Sequence, residues 1–244
     1  MKLKDRVAIV TGGGQGIGAA IARKLDAEGA KVVVADRNAT GAEKVADGLQ
    51  DAVAMETDVS SEADVAALVD GTVERFGKLD VLVNNAAIVP FKPWDEIDFA
   101  EWRRLLSVNL DGVFLTCKAS EVPMREAGYG RIVNMVSNTI MAGTPNMAHY
   151  IAAKAGVMGF TRGLATELGK HGITVNAVAP GLTETEGTLD SPHKEAFDFV
   201  QGLQAIPRRA VADDIAPTVA FLASEEAGWV TGSTIVVDGG HTRH

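Results

Sequence analysis

Seven short apolar runs are the feature of this sequence that most limits its fold. They are rich in Val and Ile and mostly lack strict alternation with polar residues, which is typical of strands covered on both faces. The runs are residues 6–11, 31–36, 51–56, 79–84, 131–136, 173–178 and 234–238. Segments between them, such as "GAAIARKLDAEG" and "EADVAALVDGTVERFG", space their apolar residues three or four apart, which predicts amphipathic helices.

This alternation of strands and helices continues to the end of the 244 residues without a linker. Repeated β-α-β units predict an α/β fold: a single-domain, doubly wound parallel β-sheet with helices on both faces, the Rossmann fold. We expect one domain over residues 1–244. One connection, residues 181–209, is longer than ordinary loops and is predicted to form a functional lid.

Composition narrows the class of partner. The net charge is −9, whereas nucleic acids and anionic membranes select clustered Lys and Arg, so we expect neither as a partner. No stretch approaches the roughly 18 to 20 apolar residues of a membrane helix, and the N-terminus lacks a signal-peptide pattern. A cytoplasmic protein with a small-molecule partner is therefore expected. A single cysteine, Cys117, excludes an internal disulfide, and we predict no metal site.

A glycine-rich turn, "TGGGQGIG", directly follows the first predicted strand and opens the first helix. Glycines let backbone N–H groups approach a pyrophosphate closely, and the positive end of the helix favours its charge. The turn therefore predicts a dinucleotide site. The residues that we assign to cofactor binding here are Gly12, Gln15, Gly16, Ile17 and Gly18.

The second predicted strand ends in Asp36, eighteen residues beyond Gly18. An acidic residue at this place can accept hydrogen bonds from the adenosine ribose hydroxyls, and its charge repels a 2′-phosphate. NAD is therefore favoured over NADP. Arg37 follows the aspartate and could help to hold a phosphate, whereas Gln15 supplies no positive charge. The alternative for Asp36 is that it merely caps or turns the chain.

The segment "YIAAK" places Tyr150 and Lys154 four residues apart on one face of a predicted helix. An ammonium about 4 Å away, at an effective dielectric of ~20, contributes on the order of 4 kcal/mol, or about three pKa units. We therefore expect the phenol of Tyr150 to titrate near neutrality and to act as general base in oxidation and acid in reduction. Ser137, at the end of the fifth strand, would stabilise charge on the substrate oxygen. His149 is an alternative base, although we expect it at the pocket wall or the surface.

Together these motifs resemble the short-chain dehydrogenase/reductase family across essentially all 244 residues. The resemblance rests on "TGGGQGIG", "DVS" (58–60), "NNAA" (84–87), Asn109, Ser137, "YIAAK" (150–154), "PGLTET" (180–185) and "VDGG" (237–240). It implies an NAD(P)-dependent enzyme that acts on CH–OH groups and assembles as a homotetramer. One departure is Ala87, where the family usually has glycine.

The resemblance also implies roles for particular residues. Asp58 and Val59 would hold the adenine, Asn84 and Ala86 the central region of the cofactor, and Pro180, Gly181 and Thr185 the nicotinamide side. Tyr150 and Lys154 would contact the cofactor as well. Asn109 would hold a water that links Lys154 to solvent, which completes a catalytic set of Asn109, Ser137, Tyr150 and Lys154.

The substrate is predicted to be a secondary alcohol or cyclic hemiacetal. Within the family, "NNAAIVPF" and "SNTIMAGTPNMAHY" are most similar to dehydrogenases of pyridoxal, and "LQAIPR" to those of 1-phenylethanol-type alcohols. The loop between Ser137 and Tyr150 and the lid should line the pocket, with Phe197 and Phe199 covering a ring. One alternative is a 3-oxoacyl-thioester reductase, which Asp36 and the acidic lid oppose. Another is a non-catalytic dinucleotide-binding regulator.

Overall fold

A computed structural model describes residues 1–243, and for His193 the backbone alone. Its strands are β1 (Val7–Thr11), β2 (Lys31–Asp36), β3 (Ala52–Glu56), β4 (Val81–Asn84), β5 (Gly130–Met135), β6 (Ile173–Pro180), β7 (Thr183–Glu184), β8 (Ala210–Val211) and β9 (Thr234–Val237). Seven of them form one parallel sheet in the order β3-β2-β1-β4-β5-β6-β9. All seven predicted runs become these strands, with ends that differ by at most two residues. The predicted doubly wound sheet is confirmed.

Within residues 1–243, ten helices connect and flank the strands. They are α1 (Gly16–Ala27), α2 (Ala39–Ala46), α3 (Glu62–Phe76), α4 (Phe99–Leu106), α5 (Gly112–Ala127), α6 (Thr139–Ala142), α7 (Ala148–Leu168), α8 (Glu186–Leu189), α9 (Phe197–Leu203) and α10 (Ala212–Ala223). A π-helical turn, Ser107–Asp111, joins α4 to α5. Shorter 3₁₀ turns cover Trp94–Glu96, Gly169–His171, Pro192–Ala196 and Glu225–Ala227. No helix within residues 1–243 is both long and apolar enough to cross a membrane.

Both faces of the sheet are buried, which explains the apolar runs. In β1, Ala8 and Val10 point into a core with α1, α2 and α10, while Ile9 points into a second core with α3, α5 and α7. In β2, Val32 and Val33 divide between the same two cores. A strand with a core on each side has no polar face, so strict alternation is absent from its sequence.

The chain reverses its direction of winding at β1, which pairs with β2 on one side and β4 on the other. In doubly wound sheets, ligands bind at such a switch point, outside the carboxyl ends of the strands. The glycine turn follows β1 at this edge, and residues 85–87 follow β4. The topology therefore brings the predicted cofactor motifs together.

A chain of buried polar side chains ties the sheet to α7, the helix that carries Tyr150 and Lys154. The Asn84 Nδ2 donates to Asn134 Oδ1 over 2.9 Å, and Asn134 Nδ2 donates to Thr161 Oγ1 in α7 over 2.9 Å. The Thr116 hydroxyl of α5 donates to Asn84 Oδ1 over 2.7 Å. Buried polar groups are costly unless they are paired, so this network fixes how α7 sits on the sheet.

The predicted lid is more regular than an irregular loop, since it contains β7, α8 and α9. Its two ends are joined because β7 pairs in parallel with β8. Arg209 reinforces the closure: its Nη1 lies 2.7 Å from Glu184 Oε1, and its Nη2 lies 2.6 Å from Asp198 Oδ1. The lid therefore forms a loop whose two ends are held together by the β7–β8 pairing and the ion pairs of Arg209.

We predict that Asn134→Ala lowers the free energy of unfolding by about 2–4 kcal/mol, because it opens a cavity and leaves the Asn84 amide without its oxygen acceptor, with only the weaker acceptor Cys117 Sγ remaining. Thr166→Ala is the matched control, since the exposed Thr166 hydroxyl in α7 bonds only its own helix, at Arg162 O. Its loss should cost less than about 0.5 kcal/mol. Denaturant unfolding measures the free energy of unfolding of both variants. An equal decrease in Asn134→Ala and Thr166→Ala would show that the polar network does not stabilise the fold.

Candidate active site

A cavity of about 680 Å³ lies at the carboxyl edge of the sheet. One end is bounded by the glycine turn and Asp36, and the cavity continues past Tyr150 and Lys154 to the lid and the C-terminal segment. Nearly all of the predicted cofactor residues line it: Gly12, Gln15, Gly16, Ile17, Gly18, Asp36, Asp58, Val59, Ala86, Tyr150, Lys154, Pro180, Gly181 and Thr185. Their joint placement fits a dinucleotide.

The glycine turn is shaped by close backbone approach. Gly12 has a φ of +62°, and a Cβ there would lie 2.7 Å from Ala86 Cα. A Cβ on Gly18 would overlap the Gly12 carbonyl. The start of α1 has no side-chain cap, because Gln15 makes no capping hydrogen bond. Uncapped N–H groups at a helix start, approached through glycine, are suited to a pyrophosphate.

Asp36 is held at the turn by backbone donors. Its Oδ2 accepts from the Gly14 N–H over 3.0 Å, and its Oδ1 accepts from the Asn38 N–H over 2.9 Å. The carboxylate is thereby held in one place, so Asp36 both shapes the turn and lines the cavity. Nearby, hydrogen bonds from Ser60 hold the pKa of Asp58 below its usual range, with a smaller contribution from Arg37.

Asn84 was expected to hold the central region of the cofactor, and the structure corrects this expectation. Its side chain is buried and serves the polar network, with Cys117 Sγ as a further neighbour at 3.3 Å. At the end of a strand, successive side chains point in opposite directions. The next residue, Asn85, lines the cavity instead, and its Nδ2 donates to the carbonyl oxygens of Thr11 and Gly12.

Tyr150 and Lys154 are brought together by α7, as their spacing predicts. Lys154 is buried, and its Nζ lies 5.8 Å from the centre of the Tyr150 ring. The same Nζ donates to the Met135 carbonyl at the end of β5 over 2.8 Å. Ser137 lies two residues further along the chain, and its Oγ accepts from the N–H and the hydroxyl of Thr139. All three side chains line the cavity.

The expected near-neutral phenol is wrong for the protein alone. Burial raises the pKa of Tyr150 to about 12, although a hydrogen bond with Ser137 opposes the rise. Burial also lowers the pKa of Lys154 to about 8. Desolvation disfavours every charged form, so the effect of burial on the Tyr150 phenol outweighs the attraction between a phenolate and the Lys154 ammonium. A further positive charge is needed to bring the phenol towards neutrality.

Asn109 lies in the π-helical turn and is fully buried. Its Oδ1 accepts from the Ile88 N–H over 2.9 Å, and its Nδ2 donates to the Ile88 carbonyl over 2.8 Å. The side chain does not line the cavity and instead fixes the loop that follows β4. The water relay that the family resemblance implies stays a prediction.

His149 was expected at the pocket wall or the surface, and this expectation is wrong. The ring is fully buried against α4, with Nε2 3.9 Å from Glu101 Oε1, and it does not line the cavity. Among the described residues, neither ring nitrogen has a hydrogen-bond partner. Burial lowers the pKa of His149. His149 therefore lies away from the cavity that Tyr150 and Lys154 line.

The loop between Ser137 and Tyr150 and the lid line this end of the cavity as predicted, but the predicted aromatic cover is wrong. Phe197 is buried under Arg209, and Phe199 is 71% exposed to solvent, so neither covers the cavity. Sequence reasoning missed the aromatic wall residue, Phe91 in the loop after β4, and the C-terminal His241. Other lining residues of this end are Ile88, Val89, Asn138, Thr139, Thr144, Met147, Leu182, Thr188, Ser191, Ala196 and Val200. Within residues 1–243, no cluster of His, Cys, Asp or Glu is arranged to hold a metal ion.

Comparison with known proteins agrees with this geometry. A family model described as enoyl-(acyl carrier protein) reductase matches residues 12–242. The cis-4-hydroxycyclohexanecarboxylate dehydrogenase of Sinomonas cyclohexanicum is 44% identical over 98% of this chain and 97% of that protein. A 3-oxoacyl-(acyl-carrier-protein) reductase of Pseudomonas aeruginosa is 39% identical over 98% of each chain.

A solved structure of another dehydrogenase/reductase has the same fold as this chain. The crystal structure of levodione reductase matches with a TM-score of 0.91 at 37% sequence identity, over 98% of both chains. The chain therefore belongs to the short-chain dehydrogenase/reductase family and is an oxidoreductase that acts on CH–OH groups.

Proposed function

We propose that the protein is an NAD-dependent dehydrogenase that interconverts a compact cyclic secondary alcohol, or a cyclic hemiacetal, and its carbonyl. The observation that carries this proposal is one cavity that joins Asp36 and the glycine turn to Ser137, Tyr150 and Lys154. From the family resemblance we also propose a homotetramer located in the cytoplasm.

The cofactor residues fall into three groups along the cavity. The glycine turn would hold the pyrophosphate, while Asp36, Asp58 and Val59 would hold the adenosine. Ala86 would hold the central region of the cofactor, together with the glycine turn, and Pro180, Gly181 and Thr185 would hold the nicotinamide side. When bound, oxidised NAD supplies the hydride acceptor and a positive charge. Asp36 favours NAD over NADP because its fixed carboxylate would repel a 2′-phosphate.

Ser137, Tyr150 and Lys154 would position and transfer the proton of the substrate hydroxyl. The Ser137 oxygen already accepts two hydrogen bonds from Thr139, so the Ser137 proton is free to be donated to the substrate oxygen or to Tyr150. In oxidation the Tyr150 oxygen takes the proton of the substrate hydroxyl, and in reduction it returns one. Lys154, anchored on the Met135 carbonyl, favours the phenolate over the phenol.

The substrate end of the cavity favours a compact ring. Ile88, Phe91 and Met147 provide apolar walls, and Asn138, Thr139 and Thr144 add polar groups beside them. The relative from Sinomonas is named for a substrate with a cyclohexane ring. Sequence resemblance indicates two further candidates, pyridoxal and the 1-arylethanols. Pyridoxal closes to a cyclic hemiacetal, and both candidates combine one compact ring with a reacting CH–OH group.

A 3-oxoacyl-thioester reductase is the second candidate, because the relative from Pseudomonas carries that name. Two features oppose it. An acyl carrier is acidic, yet the lid displays Glu184, Glu186, Asp190, Glu195 and Asp198, and the net charge is −9. Such reductases use NADPH, which Asp36 disfavours.

Substrate assays test the proposal directly. With NAD, the protein should oxidise cis-4-hydroxycyclohexanecarboxylate, 1-phenylethanol or pyridoxal at least tenfold more efficiently than it reduces acetoacetyl thioester with NADH or NADPH. The rate of NADH formation, followed by absorbance, measures oxidation of each alcohol. Tyr150→Phe is the control variant, and it should lose nearly all turnover. A clear preference for the thioester would establish the second candidate. Retention of a tenth of the rate by Tyr150→Phe would show that the base is another group.

The cofactor preference has its own test. Wild-type protein should use NAD at least tenfold more efficiently than NADP, a difference of ~1.4 kcal/mol. Asp36→Asn keeps the size of the side chain and removes its charge. It should therefore lower the ratio of the catalytic efficiency with NAD to that with NADP. Glu56→Gln is the matched control, since Glu56 is aligned with Asp36 in β3 but does not line the cavity. Equal use of both cofactors by the wild type would contradict the role of Asp36.

A further inference from the structure

The chain after β9 folds back into the active site around one buried carboxylate. Asp238 Oδ2 accepts from the N–H and the hydroxyl of Thr242 and from Asn138 Nδ2, over 2.8, 2.7 and 3.1 Å, and Oδ1 accepts from the Gly240 N–H. Gly239 and Gly240 both have positive φ, and the Gly239 carbonyl accepts from the Ile206 N–H at the end of the lid. This tight turn holds the intervening residue, His241, in a defined place.

His241 lines the cavity beside the neighbour of the catalytic serine. Its Nδ1 lies 3.2 Å from Asn138 Nδ2, and Asn138 directly follows Ser137. Since the Asp238 carboxylate can only accept, the nitrogen of the Asn138 amide must face both groups. That nitrogen has two protons, one for Asp238 and one for His241. Nδ1 is therefore the acceptor, which places a ring proton on Nε2.

The Nε2–H has no hydrogen-bond partner among residues 1–243, and the ring that carries it lines the cavity. An N–H of fixed tautomer close to the reacting centre is a ready donor for a ligand oxygen. The same cavity is lined by the apolar side chains of Ile88, Phe91 and Met147. A ligand oxygen in this place would complete the chain Asp238–Asn138–His241.

We propose that His241 determines specificity by donating its Nε2–H to a second oxygen of the substrate, so that the enzyme selects compact ring alcohols or ketones that carry another hydroxyl, carbonyl or carboxylate oxygen. This inference rests on the proposed function. It adds a residue from the C-terminal segment to the substrate site, whereas Ser137 and Tyr150 serve the reacting oxygen.

The test uses two alcohols that differ by one hydroxyl: cyclohexanol and cis-1,4-cyclohexanediol. The wild type should prefer the diol, and His241→Phe, which keeps a ring but lacks the donor, should lower the ratio of the two kcat/KM values about tenfold, mainly through KM. Tenfold corresponds to ~1.4 kcal/mol. His241→Gln, whose amide nitrogen reaches the place of Nε2, should restore most of the preference. His171→Phe, outside the cavity, is the control and should leave the ratio unchanged.

Two failures can be told apart. If the wild type oxidises both alcohols but His241→Phe leaves their ratio unchanged, or His241→Gln behaves as His241→Phe does, the role of His241 is overturned and the dehydrogenase function stands. If the wild type oxidises neither alcohol nor any of the alcohols above, the proposed function fails and this inference with it. The affinity of each variant for NADH, measured by fluorescence, should equal that of the wild type. Equal affinity would show that the variants retain the fold.

Discussion

Burial of the parallel sheet on both faces is the constraint on which the rest of this protein depends. With α1, α2 and α10 on one side and α3, α5 and α7 on the other, the strands have no polar face, so ligand-binding groups collect at the carboxyl edge. The two halves of the site come from opposite sides of the switch at β1: the glycine turn and Asp36 on one side, and Ser137 and α7 on the other. The cavity follows from the topology.

The same burial creates the electrostatic problem that the site must solve. Lys154 has no carboxylate partner within hydrogen-bond reach among the described residues, and its Nζ is held by the Met135 carbonyl. Desolvation moves the pKa values of Tyr150 and Lys154 towards their neutral forms, to about 12 and about 8. The phenol alone is thus a weak proton acceptor at neutral pH. A cationic cofactor beside it would lower the pKa of Tyr150, and proton transfer would then be coupled to cofactor binding.

Much of this could be predicted from the sequence, because the relevant signals are local. Strands covered on both sides read as Val- and Ile-rich runs, and the i, i+4 spacing alone brings Tyr150 and Lys154 to one face of α7. The direction of side chains at the strand end could not be predicted, so Asn84 was assigned in place of Asn85. His149 and Phe197 were misplaced because tertiary packing against α4 and Arg209 decides their burial.

His241 illustrates the limit of sequence reasoning most clearly. It reaches the cavity because Asn138 bonds Asp238, one hundred positions away in the chain, and no local pattern encodes that contact. The pKa of Tyr150 was mispredicted for a related reason. A Coulomb estimate between two residues omits the desolvation that the surrounding fold imposes, and here desolvation is the larger effect.

The central claim is that the buried phenol becomes a base when a cationic cofactor binds. The chain has two tyrosines, Tyr129 and Tyr150, so ultraviolet difference titration of the wild type against Tyr150→Phe isolates one phenol. Without cofactor, Tyr150 should ionise only at strongly alkaline pH; saturating NAD should move its ionisation several pH units lower, while NADH should move it far less. An ionisation that is unchanged by NAD, or already near neutral pH without it, would contradict the account.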